Sequence, residues 1–149
     1  MRTFQFRLER VLDWRRLELE SEEARFQRQA AVLAELDRAR ADVTEAARHA
    51  EAEVRAYSPL SGDHLGALAE FQAFVRRRET EIAAQRVEAV RKLDAQRAVM
   101  LEARRRFRLL ERLRGRRWEE WRKAGDKELE ELAGESYTAQ WARNRPASI

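Results

Sequence analysis

Apolar residues recur along the first third of the chain at alternating steps of three and four. The series runs Phe4, Leu8, Val11, Arg15, Leu19, Glu22, Phe26, Gln29, Leu33, Leu36, Arg40, Val43, Ala47, Ala50, Val54 and Tyr57, and twelve of these sixteen positions are apolar. A period near 3.5 held for this long predicts a coiled-coil helix, since only that spacing keeps one seam turned toward a partner helix. Glu, Arg, Asp and Gln fill the intervening positions, as a solvated face requires. Glu18, Glu22 and Arg25 stand at spacings where helical side chains meet.

The series breaks at Tyr57-Ser58-Pro59-Leu60-Ser61-Gly62-Asp63-His64. Pro59 lacks a backbone donor and disfavours helix at Ser58. Gly62 tolerates unusual backbone angles, and Ser61 or Asp63 offers a capping oxygen for a second helix. A second, thinner seam follows. Leu68, Val75, Ile82 and Ala89 repeat at seven, then Leu93, Met100 and Phe107 repeat at seven, flanked by Ala103 and Leu110. Polar residues (Gln72, Glu79, Arg86, Gln96) are interleaved, and the change of series near residue 90 reads as a stutter that locally unwinds a supercoil.

Two long helices joined by a short loop become antiparallel neighbours. The predicted fold is therefore all-α: a long antiparallel two-helix coiled-coil hairpin with a C-terminal helical overhang. Helix one spans about 4–57, the turn 58–64 and helix two about 65–133, with a frayed tail over 134–149. With the reversal near Gly62, residue i faces roughly residue 122 − i, which sets Phe4 near Trp118 and Leu19 near Ala103. The overhang is roughly twenty-five residues, or some seven helical turns. Gly115 and Gly125 each weaken it by about 1 kcal/mol relative to alanine, and Gly134 is expected to end or interrupt it.

Composition agrees with long helices. Charged residues make up 39% of the 149, and there are only 5 Gly and 2 Pro. There is no cysteine, which excludes disulfides, thiolate metal sites and thiol catalysis. No apolar run approaches the ~20 residues that span a bilayer. The N-terminal residues lack the apolar stretch of a signal peptide, so the expected compartment is the cytoplasm. Net charge is +4, and the excess lies in residues 97–149, with 14 basic and nine acidic side chains. That basic surface favours an acidic partner.

Candidate chemistry is sparse. His49 and His64 stand alone, with no ligand or triad spacing, and each reads as a solvated histidine. No phosphate-binding loop, dinucleotide fingerprint, zinc-protease motif or nucleophile elbow is present. Carboxylate pairs such as Glu22/Glu23 and Glu119/Glu120 are ordinary on charged helices, and a two-helix rod has no pocket to perturb them. The chain is accordingly read as a non-enzyme with no catalytic residues, cofactor, metal or small-molecule substrate. The arginine runs 76–78, 104–106 and 114–117 could meet phosphates, and Arg105, Arg108, Arg112 and Arg116 share a helix face. Their plainer reading is a solvated face whose Arg stems cover the seam. Trp118 and Trp121 close the seam against Phe4, Phe6 and Leu8 or present a hot spot for a protein partner, and both hold if different ring edges are used.

Two terminal blocks carry a family resemblance. Phe4-Gln5-Phe6-Arg7-Leu8-Glu9-Arg10-Val11-Leu12-Asp13-Trp14-Arg15-Arg16 resembles the opening of the FliJ family of flagellar type III export proteins. Leu109-Leu110-Glu111-Arg112-Leu113-Arg114-Gly115-Arg116-Arg117-Trp118-Glu119-Glu120-Trp121 is similar to that family's C-terminal block, and Asp126 to Ala133 to the tail after it. The resemblance implies a hairpin like the coiled coil of the rotary ATP synthase gamma subunit. Its paired terminal end would engage the central opening of a hexameric export ATPase. Another part would contact the cytoplasmic domain of the export-gate membrane protein, and the protein would help to recycle export chaperones. The implied ATPase-binding residues are Phe6, Leu8, Leu12, Arg16, Leu110, Leu113, Arg116, Arg117 and Trp118. The implied export-gate region spans about 43–75, with Tyr57, Leu60 and Phe71. The implied location is the cytoplasm, peripherally at the inner membrane. An injectisome counterpart shares fold and partner. From other classes, a basic coiled-coil nucleic-acid binder and a generic oligomerising spacer stand as rivals.

Overall fold

A computed structural model of the chain describes residues 3–145. It contains two helices, α1 (Glu9–Arg55) and α2 (Gly62–Arg143), and no strand among the described residues. By contacts the chain divides into two units, one comprising Met1–Leu17 with Arg104–Ile149 and the other Glu18–Ala103. In each unit the two helices pack against each other antiparallel.

In the Glu18–Ala103 unit, Asp37 accepts a hydrogen bond from Arg86 at 2.8 Å and the Arg97 guanidinium lies 5.8 Å from the Phe26 ring. In the other unit, Glu9 accepts from Arg114 at 3.0 Å and Arg16 lies 5.7 Å from the Phe107 ring. Each of these four pairs has residue numbers summing to 123, one more than the sequence reading expects.

The core is the seam itself. Leu12, Leu19, Val75, Ile82, Ala89, Met100 and Ala103 are its buried apolar residues, and among the described residues no buried one is polar or charged. Phe26, Leu33, Leu36, Val43, Ala47, Ala50 and Val54 are half-buried, as are Leu68, Leu93, Phe107 and Leu110. Two details differ from the sequence reading. Near the start of α1 the seam takes Leu12, only 2% exposed, and leaves Val11 41% exposed. The predicted series stepped by four twice, from Val11 to Arg15 to Leu19; strict alternation back from Leu19 lands on Arg15 and then Leu12.

The second difference is at residue 90, where there is no stutter. Positions 68, 72, 75, 79, 82, 86, 89, 93, 96, 100, 103, 107 and 110 are all buried or half-buried, and their steps alternate strictly. What changes there is chemistry. Upstream, one set of the alternation is apolar (Leu68, Val75, Ile82, Ala89) and the other polar (Gln72, Glu79, Arg86); from Leu93 the second set becomes apolar. Gln96 is the last polar intruder. Its amide donates to the Glu22 carboxylate at 2.5 Å and to the Glu22 backbone carbonyl at 3.2 Å, so the polar pair is satisfied within the seam.

The turn is shorter than predicted. The cap is Ser61: its Oγ accepts from the His64 backbone N–H at 3.3 Å, and its own N–H donates to His64 Nδ1 at 3.3 Å. This is the reciprocal geometry of a capping box, with imidazole in the place of the usual carboxylate or amide. The Tyr57 ring stacks on His64 at 4.5 Å and 14°, closing the corner from the α1 side. His64 thus has a structural place, whereas His49 is exposed, with a Glu53 oxygen 3.8 Å from its Nδ1.

The glycines do not break α2. Its 82 residues run through Gly115, Gly125 and Gly134 to Arg143, ten residues past the predicted end near 133. An added Cβ at Gly115 or Gly134 would meet nothing within 4 Å, so neither marks a close approach. Pro146, assigned to the frayed tail, lies outside the described residues. At the other end, helix one starts at Glu9 rather than near Phe4. Phe4 and Phe6 are half-buried while Thr3, Gln5 and Arg7 are exposed, the period-two alternation of extended chain.

Candidate functional site

The two terminal blocks singled out by sequence meet within the unit formed by Met1–Leu17 and Arg104–Ile149. The extended segment before α1 lies along α2. The Phe4 ring sits 5.9 Å from Trp121, tilted by 55°, and the Arg114 guanidinium lies 5.9 Å from the Phe4 ring. Between segment and helix runs an open groove of about 710 Å³, lined by Phe4 to Leu8 on one side and Leu113, Arg117 and Trp121 on the other. Arg7 and Arg117 supply positive charge to it, and the aromatic rings supply apolar wall. Arg117 is held by Glu120 at 3.0 Å, an exposed pair that a stronger anion could displace.

Of the residues the resemblance implies, Phe6, Leu8, Leu113 and Arg117 line this groove. Leu12 does not: it is buried between the helices and serves the seam. Leu110 is likewise half-buried on the seam side of α2. Arg16 is engaged internally, near Asp13 at 3.8 Å and over Phe107. Arg116 is exposed but does not line the groove. Trp118 is exposed beneath the Arg122 guanidinium, 5.2 Å from its ring, instead of facing Phe4.

The tryptophan partner of Phe4 is Trp121, one turn further along. Phe4, Gln5, Arg7 and Trp121 are therefore groove residues missing from the sequence-based set. The signal for them was present in the Phe-x-Phe alternation, which marks extended chain reaching about 3.3 Å per residue rather than 1.5 Å.

The residues implied for the export gate belong to the Glu18–Ala103 unit. Tyr57 is exposed on one face and stacked on His64 by the other. Leu60 is exposed, and Phe71 is half-buried 6.3 Å from the exposed Phe74 ring. Tyr57 and Leu60 lie in the turn between α1 and α2, and Phe71 follows within α2. The open depression lined by Arg40, Thr44, Arg76, Glu79, Thr80 and Ala83 lies further along the helices and is polar.

Among the described residues no group of three or more His, Cys, Asp or Glu side chains is placed to hold a metal ion. Among the same residues no helix is long and apolar enough to cross a membrane. No family model, no curated protein and no solved structure matches this chain.

Proposed function

We propose that this chain is a FliJ-like accessory protein of a flagellar type III export apparatus. In this reading it binds the hexameric export ATPase through its paired terminal end and couples that ATPase to the cytoplasmic domain of the membrane export gate. It works on the cytoplasmic side of the inner membrane and aids recycling of export chaperones. One observation carries the reading: the two blocks that resemble the family, more than ninety residues apart in sequence, line a single groove, with Phe6, Arg7 and Leu8 opposite Leu113, Arg117 and Trp121. Aromatic and arginine side chains around a part-open apolar channel are the residue types that dominate protein–protein hot spots. The basic surround favours acidic loops such as those that line a ring's opening.

The test is a pull-down of the purified protein with the export ATPase of the same genome, reading ATPase rate and oligomer size together. Binding that promotes the hexamer or stimulates hydrolysis is expected, and Arg117→Ala with Trp121→Ala should abolish it while helix content is unchanged. Absence of binding at physiological salt removes this function and leaves the hairpin intact. Binding to an injectisome ATPase instead assigns the protein to that system.

A further inference from the structure

A second surface of α2 points away from α1 and, although it includes Arg116, lies outside the groove that carries the proposed function. Opposite the face that carries Phe107, Leu110 and Arg114 runs an exposed stripe at positions 105, 108, 112, 116, 119, 123, 126, 130, 134 and 137. Its mean step is about 3.6 residues, the period of a straight helix, so the positions stay on one side over nine steps. In order they are Arg105, Arg108, Arg112, Arg116, Glu119, Lys123, Asp126, Glu130, Gly134 and Tyr137. The stripe is basic at its start and acidic further on, as is the helix around it. Residues 104–123 carry ten basic and three acidic side chains, and residues 126–135 carry one basic and five acidic.

Two features of this stripe bear on what could cover it. First, some charges beside the stripe are paired locally, Arg117 with Glu120 and Lys127 with Glu131, whereas most of its own are not. Arg108, Arg112, Arg116, Glu119, Lys123, Asp126 and Glu130 have no ion-pair or hydrogen-bond partner among the described residues. Arg108–Arg112, Arg112–Arg116 and Asp126–Glu130 are instead like-charge neighbours four apart, an arrangement that weakens a helix in isolation.

Second, the stripe is self-complementary when reversed. Its steps read three, four, four, three, four, three, four, four, three in both directions. Turned end for end about position 121, Arg112 meets Glu130, Arg116 meets Asp126, and Glu119 meets Lys123. Arg105 meets the Tyr137 ring, and Arg108 meets Gly134, where the missing side chain leaves room for a guanidinium stem. A two-fold axis makes each pairing twice, as an isologous interface demands.

We propose that this stripe is a homodimer interface, on which α2 of a second copy lies antiparallel with residue numbers across the interface summing to 242. A nucleic acid fits less well, since Asp126 and Glu130 on the same face would repel its phosphates. The interface is mostly charged and exposed, so its strength depends on concentration and falls with salt. It faces away from the groove of the proposed function and stands independently of it.

The experiment is sedimentation equilibrium of the full chain at low salt, with charge-reversed variants. The wild-type chain is expected to approach twice its 17.6 kDa mass and to return to the monomer mass at ~1 M salt, where the Debye length is about 3 Å. R112E/R116E sets acidic residues opposite Asp126 and Glu130 of the second copy, and D126R/E130R sets basic residues opposite its Arg112 and Arg116. Each variant alone should be monomeric with unchanged helix content, and an equimolar mixture of the two should recover the dimer.

Because the chain has no cysteine, E119C mixed with K123C gives a clean orientation readout. The antiparallel register predicts a disulfide between unlike variants, with little between like ones. A wild-type chain that stays monomeric at low salt overturns the proposal, as does dimerisation that survives both reversals. So does a wild-type monomer that binds a short DNA duplex through Arg112 and Arg116, which would assign the ridge to phosphates.

Discussion

Ile82 is fully buried, whereas Val87, five residues along the same helix, is 72% exposed. Ile82→Ala removes three carbon groups from the seam. At about 0.8 kcal/mol for each buried group, the lost transfer energy is about 2.4 kcal/mol. Two terms modify that figure. Alanine is the better helix former, which returns a few tenths of a kcal/mol. A cavity term adds to the loss, and here it is small. By the constant register the α1 position opposite is flanked by Ala39 and Val43, both half-buried, so solvent lies one side chain away and the gap can close.

The net expectation is a loss of about 2–3 kcal/mol for Ile82→Ala, against a change within about 0.5 kcal/mol for Val87→Ala. Urea denaturation followed by far-ultraviolet circular dichroism, at equal protein concentration, compares the two. The midpoint should drop for the first variant with little change in slope, since both chains expose similar surface on unfolding. If Ile82→Ala melts within 0.5 kcal/mol of Val87→Ala, then the seam drawn through Val75, Ile82 and Ala89 is not what holds the helices together.

Three further predictions probe other parts of the fold. Ser61→Ala removes the cap of α2 and should cost about 1 kcal/mol, read as faster amide exchange in the first turn after Gly62. Gly115→Ala, where a Cβ meets nothing within 4 Å, should stabilise by about 0.5–1 kcal/mol; a lower melting temperature would show that the helix bends there. Glu22→Leu with Gln96→Leu replaces the polar pair by an apolar one and should raise stability by about 1–2 kcal/mol. Gln96→Leu alone should not, because it leaves the half-buried carboxylate without the amide.

Much of the hairpin was legible in the sequence because a two-helix rod has one repeating contact, and that contact is written as spacing. The reversal, the seam through Phe26, Leu33, Leu36 and Val43, and the register to within one residue all came from it. The failures have local causes. Val11 and Leu12 are adjacent apolar residues, so hydrophobicity alone does not choose between them; only unbroken alternation from Leu19 does. The glycines misled because propensity is a local cost, whereas α2 is one cooperative helix in which propagation over many residues outweighs it.

The groove was half legible. Its residues lie in the blocks flagged by sequence, but the extended segment before Glu9 shifts the partner of Phe4 by one turn, from Trp118 to Trp121. Counting by the helical period cannot see that shift. The charge symmetry of the outer stripe was invisible for another reason: it becomes a pattern only once α2 is known to run unbroken past Gly134.

The fixed sum across the helices restricts how such a chain can gain or lose residues. A residue removed from within α1 turns everything before it by about 100°, carrying Leu12 and Leu19 out of the seam and detaching Glu9 from Arg114. A residue removed from the segment between Arg55 and Gly62 leaves both seams intact and asks only the turn to adapt. Lengthening is therefore quantised: whole heptads must enter both helices at facing positions, and an insertion in one alone leaves its partner short. Genetic change in this chain should be free in substitution on the outer faces, permissive at the turn, and nearly closed to unpaired insertion or deletion anywhere along the paired arms.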